Sequence, residues 1–454
     1  MSTMNRRNFL KIASAAAAAS PFLAGASAKA AEEKHVVVIG GGVGGATFAK
    51  YLRMYAPEIK VTIIEPKKEY QRPYGSSEVI VGNVDMEEIT ISYDALKNKH
   101  GVNMIQDLVT EIRPDKKEVA TAGGMTLTYD RLIVSPGITF DYSLIPGMQT
   151  PEAQAQIVHG WDAGNQLETL TKQLQAVPVD GTVVLVPPPN PYRCPPGPYE
   201  RAGLIAQWLL NRGDKNPKVI ILDPKDGFTT DVTMLQAWNR LYGMNLPKPF
   251  EKNYKPEEVA TFKKYDKPGV IQWIMATEGG RVVKVDAANK IVEAEAGVFK
   301  ADMINIIPPL KAGKIAIEAG LADKSGWCPV NMKTFESKIH PFIHVIGDSC
   351  IAGEMPKSGY SANSQAKVVA LQVKALLNNQ PLNEVVLQNT CYAKAGPNDY
   401  GMFVADVFRQ NPEGVLKRAQ QPRYLPFNAS TAQFRLSAVY LEAWMQSFTQ
   451  DIFS

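Results

Sequence analysis

One short apolar strand meeting a run of glycines fixes most of what this chain can become. His35-Val36-Val37-Val38-Ile39 leads into Gly40-Gly41-Gly42-Val43-Gly44-Gly45 and then into a helix predicted over 46–55. The next strand, Lys60-Val61-Thr62-Ile63-Ile64-Glu65, ends in a carboxylate 20 residues past Gly45. That order and spacing describe a strand–turn–helix–strand unit that seats a dinucleotide. Gly40 allows the tight turn, Gly42 the close approach of a pyrophosphate, and Gly45 the packing of helix on strand. Glu65 stands where a ribose hydroxyl would be held.

The plan repeats, but the loop does not. Gly181-Thr182-Val183-Val184-Leu185-Val186 is a second buried strand, followed by Pro187-Pro188-Pro189-Asn190-Pro191-Tyr192-Arg193-Cys194-Pro195-Pro196-Gly197-Pro198-Tyr199-Glu200. Proline has no N–H to offer a pyrophosphate, and its ring blocks close approach. The expectation is a chain with one working dinucleotide site and a lost nicotinamide site, fed with electrons by something other than a reduced pyridine nucleotide.

The working site is expected to take FAD. Val345-Ile346-Gly347-Asp348 ends a later strand, where Asp348 would hold the ribityl chain, and a helix starting near Lys357-Ser358-Gly359 would turn its positive end toward the flavin. A buried strand entering Ser135-Pro136-Gly137 supplies a second expected contact. The predicted class is therefore α/β: two Rossmann-like dinucleotide-binding-type domains of the glutathione-reductase-like kind, plus a C-terminal α+β domain. The boundaries read as 31–150 with 301–378 for the discontinuous FAD-binding domain and 151–300 for the second domain. Residues 379–454 read as a flavin-covering or interface domain. A Lys- and Pro-rich stretch over 247–267 reads as a solvated surface insertion.

Residues 1–30 read as an address. Asn5-Arg6-Arg7-Asn8-Phe9-Leu10-Lys11 followed by an Ala-rich run is a twin-arginine export signature, which predicts a periplasmic protein carrying a cofactor loaded before export. These residues hold Arg6, Arg7, Lys11 and Lys29 and no acid, so the remaining chain keeps 45 of the 49 basic residues against 45 acidic ones. That balance argues against nucleic acid as a partner. No later stretch reaches transmembrane length.

Four cysteines remain, Cys194, Cys328, Cys350 and Cys391, and four cysteines allow three full pairings. Cys194 lies in the proline-filled turn and Cys391 at the start of the C-terminal region. Cys194 is a redox group or a structural cysteine stiffened by its prolines, and Cys391 a redox group or a small buried hydrophobe. Glu200 closes the same turn, as a proton acceptor or as a carboxylate favoured by a helix start. His340 and His344 are four apart, but in a strand that separation is roughly 13 Å, so no metal site is expected. There is no Cys-x-x-Cys-His for a haem.

The chain resembles the flavoprotein subunit of flavocytochrome c sulfide dehydrogenase over nearly its whole mature length. The resemblance is carried by the first glycine turn and by Arg193-Cys194-Pro195-Pro196-Gly197-Pro198-Tyr199-Glu200-Arg201-Ala202. It is carried further by Gly326-Trp327-Cys328-Pro329-Val330, by the Met355-Pro356-Lys357-Ser358-Gly359-Tyr360-Ser361-Ala362-Asn363-Ser364-Gln365 stretch and by Asn389-Thr390-Cys391-Tyr392. The resemblance implies a redox-active Cys194–Cys391 disulfide beside the flavin, with Glu200 nearby. It also implies Trp444 as an aromatic of the flavin-covering region and a separate c-type cytochrome subunit as electron acceptor, while Lys357, at the helix start facing the flavin, is a cofactor-binding candidate from its position. The implied activity is oxidation of hydrosulfide to sulfur or polysulfide. One departure stands out: in the loop Glu69-Tyr70-Gln71-Arg72-Pro73-Tyr74, Pro73 falls where some relatives attach FAD through a cysteine, which predicts non-covalent FAD. A sulfide:quinone reductase is the neighbouring alternative, although residues 440–454 carry Glu442 and Asp451 and no Lys or Arg. A non-catalytic FAD-binding accessory protein of a sulfur-oxidation system is the alternative from another class.

Overall fold

His35–Ile39 lies at the centre of a five-stranded parallel sheet, in the order Ile343–Val345, Arg131–Val134, His35–Ile39, Lys60–Ile64, Asn103–Ile105. Near-continuous apolar runs such as Val36-Val37-Val38 are what a parallel sheet covered on both faces requires. The computed structural model describes residues 33–454; the export signature of residues 1–30 lies outside the described residues.

The crossover helix Val43–Tyr55 packs on the sheet and against the helix Gly359–Leu377. That approach depends on missing side chains. A Cβ on Gly45 would stand 1.9 Å from the Gly40 carbonyl oxygen, and one on Gly40, itself at φ +94°, would stand 2.4 Å from the Ser135 carbonyl oxygen.

The second parallel sheet runs Ile271–Ile274, Lys218–Leu222, Thr182–Val186, Met303–Ile306. Met303–Ile306 is thus a strand of the second sheet, in register with Val183–Val186, and the return to the first sheet comes after it rather than at residue 301 as expected. Its four buried residues supply the outer edge that Thr182–Val186 needs. The 247–267 stretch is also more than a solvated insertion. Phe250 and Tyr254 are buried, Phe250 lies 5.6 Å from the Trp273 ring, and Tyr254 lies 5.5 Å from Phe427 of the C-terminal region.

The C-terminal region pairs Val386–Lys394 with Gly401–Gln410 as an antiparallel hairpin and ends in the helix Thr431–Phe453. Ser430 and Gln433 cap that helix reciprocally at its start. At its end the Lys50 ammonium donates to the carbonyls of Gln450 at 3.3 Å, Asp451 at 2.9 Å and Ser454 at 2.6 Å. A cation among the carbonyls of a helix's last turn is a favourable C-cap. Phe453 then stacks on Tyr70 at 4.9 Å, which brings the last turn over the glycine-turn end of the first sheet. Among the described residues no helix is long and apolar enough to cross a membrane.

Candidate functional site

Gly42 is the N-cap of the helix Val43–Tyr55 and has extended backbone; a Cβ there would meet only Tyr70, at 3.7 Å. The space beside the helix start is therefore open to a phosphate. Glu65 sits at this turn, with one carboxylate oxygen accepting from Gly41 N–H at 2.7 Å and the other from Lys67 N–H at 2.9 Å. Gly137 takes φ +72°, and its carbonyl accepts from Gly313 N–H at 3.0 Å and Ser349 Oγ at 2.5 Å, which ties the two expected flavin loops together.

Asp348 follows Gly347, whose N–H is held by Gln365 Oε1 at 2.8 Å. The Asp348 Oδ1 is buried and has no hydrogen-bond partner among the described residues. Burial pushes its carboxyl up, opposed by Arg193 and Lys357. Buried carboxylate oxygens are rarely left orphaned, and a ribityl hydroxyl is the donor this one lacks. The open glycine cradle, Glu65 and this orphaned oxygen together fit FAD.

Lys357 is spent on structure at its tip. Its ammonium donates to the carbonyls of Asp348 and Cys350, both at 2.8 Å, and lies 3.7 Å from the centre of the Trp327 ring. It braces the turn behind Asp348, and its backbone carbonyl accepts from Cys194 N–H at 2.8 Å.

That last bond begins the convergence of the two cysteines. Cys194 is held at φ +58°, an uncommon backbone conformation for a residue with a side chain. Its neighbours fix it there: Gly197 N–H donates to the Cys194 carbonyl at 2.9 Å and the Tyr192 hydroxyl to the Pro195 carbonyl at 2.7 Å. From the other side, the Cys391 sulfur lies 3.5 Å from Asn389 Oδ1, the oxygen that accepts from Ser358 Oγ at 2.6 Å. Ser358 is the N-cap of the helix Gly359–Leu377. Two cysteines 197 residues apart thus flank the Lys357-Ser358 step. All four cysteines are free thiols in this structure, so the Cys194–Cys391 bridge implied by the resemblance is not formed here. Burial pushes the Cys194 thiol up, with Cys391 and Glu200 adding to it and Arg193 opposing, and burial pushes Cys391 up to about 11.

Glu200 lies in the first turn of the helix Gly197–Arg212 and accepts from Lys394 N–H at 2.7 Å. Burial pushes it up to about 7, the Lys394 amide opposes, and the Glu78 charge adds. The Lys394 ammonium is buried between Glu78 and Glu442, 3.0 Å from the latter. Burial works against its charge, and the two carboxylates outweigh it. Glu78, Lys394 and Glu442 come from three distant stretches, and nothing in the sequence marked them. Trp444 lies parallel to Phe448 at 5.0 Å and packs against Tyr360 and Tyr392, and its buried indole Nε1 has no hydrogen-bond partner among the described residues. Asn389 Nδ2, beside Cys391, is likewise buried without a hydrogen-bond partner among the described residues.

Comparison with known proteins gives the site a context. The family model for the central region of the sulfide dehydrogenase [flavocytochrome c] flavoprotein chain matches residues 167–308, and that for the flavocytochrome c sulphide dehydrogenase flavin-binding region matches 383–453. A pyridine nucleotide-disulphide oxidoreductase model matches 34–184. The mitochondrial sulfide:quinone oxidoreductase of Mus musculus is 24% identical over 79% of this chain and 74% of its own length. The sulfide-quinone reductase of Aquifex aeolicus is 30% identical, over 38% of each chain. The solved structure of the sulfide:quinone oxidoreductase from Aquifex aeolicus superposes with a TM-score of 0.65 at 20% identity, covering 92% of both chains. A putidaredoxin reductase–putidaredoxin complex gives 0.57 at 16% identity, over 83% of this chain and 82% of that one. These likenesses fix the fold as that of the pyridine nucleotide-disulphide oxidoreductases and the cofactor as FAD.

Proposed function

This chain belongs to the family of flavoprotein chains of flavocytochrome c sulfide dehydrogenase, and from that premise we propose that it oxidises hydrosulfide through Cys194 and Cys391 in the periplasm and passes the electrons to a c-type cytochrome subunit. Its family is one of sulfide-oxidising flavoproteins. The observation that carries the proposal is the meeting of Cys194 and Cys391 at one two-residue step, Lys357-Ser358, beside the orphaned Asp348 oxygen.

The reaction starts from the oxidised form, in which Cys194 and Cys391 are joined as a disulfide, and not from the free thiols of this structure. Hydrosulfide attacks one sulfur: a new S–S bond forms, the Cys194–Cys391 bond breaks, one cysteine carries a persulfide and the other leaves as thiolate. Glu200, neutral or charged near pH 7, takes the persulfide proton. FAD, when bound, supplies a two-electron acceptor that can release electrons singly. The periplasmic location rests on the twin-arginine signature at Asn5–Lys11.

Anaerobic addition of sulfide to the FAD-loaded protein tests this. The yellow colour should bleach in the native protein and persist in Cys194→Ser and Cys391→Ser; bleaching retained in either variant removes the disulfide from the mechanism, and no bleaching in the native protein leaves an accessory role. The likeness to sulfide:quinone oxidoreductases over most of the chain favours a second reading, in which a quinone takes the electrons. Re-oxidation of the bleached protein by a c-type cytochrome, and not by a short-chain quinone, is the expected result; the reverse selects the quinone.

A further inference from the structure

Cys328 and Cys350 take no part in the proposed chemistry, yet the fold sets them against each other. The two-residue strands Cys328–Pro329 and Cys350–Ile351 pair in parallel, with Cys328 directly opposite Cys350. Neighbouring strands run about 4.8 Å apart, inside the roughly 4.4–6.8 Å between Cα atoms that a disulfide spans. Opposed residues of a ladder also turn their side chains to the same face. Both cysteines are buried, at 0% and 2% exposure, and both are free thiols in this structure, the reduced state of the pair. Burial pushes each thiol up to about 12; Cys350 adds to the effect at Cys328, and Lys357 opposes it at both. Dithiols resist oxidation where their thiolate is stabilised, and here it is not.

The place of the pair gives a bond between them its use. Gly347 and Asp348 lie within the 22 residues that separate Cys328 from Cys350. Trp327, next to Cys328, has the Lys357 ammonium 3.7 Å from its ring centre, and that ammonium holds the carbonyls of Asp348 and Cys350 at 2.8 Å. A 328–350 bond would close this set of contacts around the turn that carries the orphaned Asp348 oxygen. The Cys350 sulfur now lies 3.2 Å from the Gly347 carbonyl and 3.6 Å from Gln365 Oε1, and a thiol is a weak donor, so little is lost when it turns to Cys328. Gln365 keeps its bond from Gly347 N–H. With Tyr192, Phe228, Trp327 and Met355, Cys350 lines a cleft of about 770 Å³, which gives a dissolved oxidant a route to the pair.

We propose that Cys328 and Cys350 close as a second disulfide, separate from Cys194 and Cys391, and that it fixes the Gly347-Asp348 turn for FAD. A small dissolved disulfide, such as oxidised glutathione, is the oxidant. The Cys350 thiolate attacks one of its sulfurs, that S–S bond breaks, and one glutathione leaves as a thiol. The Cys328 thiolate then displaces the second glutathione from Cys350. Two protons and two electrons thus pass from the cysteines to two glutathione thiols. The bridge does not depend on sulfide oxidation; in the cell, the proposed export would bring the chain to a compartment where disulfides form.

The test needs no turnover. The FAD-loaded full chain is incubated with oxidised glutathione, unfolded in acid, alkylated without reductant and digested for mass spectrometry. The peptides carrying Cys328 and Cys350 should appear joined, two hydrogens lighter than their sum, with neither sulfur alkylated. Alkylated Cys328 and Cys350, or either of them linked to Cys194 or Cys391, would overturn the bridge. Cys328→Ser removes the bond and keeps the Cys350 contact with Gly347; it should weaken FAD binding about tenfold in a titration of the apoprotein. Equal affinity in the oxidised native protein and Cys328→Ser would overturn the role at the turn. Should Cys328→Ser not fold, the peptide link in the native protein still decides. A link that forms with glutathione but is missing from protein isolated from its own cells would keep the bridge and count against the periplasmic reading.

Discussion

Glu200→Gln separates two pH effects that the native carboxyl ties together. Burial raises Glu200 from 4.5 to about 7, with Glu78 adding and the Lys394 amide opposing. A group whose folded pKa is raised stabilises the fold fully below its unfolded value, and that stability is lost as pH rises through the folded value. Between pH 4.5 and about 7 the folded chain therefore holds a proton that the unfolded chain has released. At 1.36 kcal/mol per pH unit, the loss across that window is roughly 3 kcal/mol. Glutamine keeps the oxygen that accepts from Lys394 N–H and removes the charge. Relative to the native protein, Glu200→Gln should gain up to roughly 3 kcal/mol between pH 4.5 and 8, read from paired urea-unfolding curves at each pH.

Catalysis should run the other way. A proton acceptor must be deprotonated, so native activity relative to the variant should rise through about pH 7, reaching on the order of a hundredfold. Taking the ratio at each pH in anaerobic stopped flow cancels the ionisation of sulfide itself. A native-to-variant ratio flat from pH 5 to 9, with unfolding curves that keep a constant offset, would refute both the raised carboxyl and its role.

Three further outcomes follow from the cofactor cradle. Gly45→Ala puts a methyl 1.9 Å from the Gly40 carbonyl oxygen, so the helix must back away; a loss on the order of 3 kcal/mol and a colourless purified protein are expected, and a yellow protein of native stability would contradict the packing role. Asp348→Ala removes the acceptor that lacks a protein donor, and should weaken FAD binding by about ten- to a hundredfold in a titration of the apoprotein, while leaving its circular dichroism unchanged. Because Pro73 offers no nucleophile, acid precipitation should leave the flavin in the supernatant; flavin retained on the polypeptide would refute non-covalent binding.

The parts of this molecule legible in the sequence are those whose meaning is local. Gly40, Gly42 and Gly45 lie within six residues, and the clash distances at Gly40 and Gly45 show that the turn itself demands them. Met303–Ile306 reads as part of the first domain because Met303, Ile304 and Ile306 say that a strand is buried but not which sheet buries it, and the register places it in the second. Phe250 and Tyr254 were masked by the lysines and prolines around them, whose charge outweighs two aromatics in any local average. Arg201 was visible as a base after Glu200. Its burial among neutral acceptors does not show there, because those acceptors come from residues 77, 159, 160 and 305. The proline-filled turn joins the two kinds of information. Its prolines argue against a pyrophosphate by their chemistry alone. The same turn holds Cys194 at a left-handed backbone angle with its N–H on the Lys357 carbonyl. Residues read as closing the chain to one electron donor thus also hold the sulfur at which the proposed donor, hydrosulfide, would arrive.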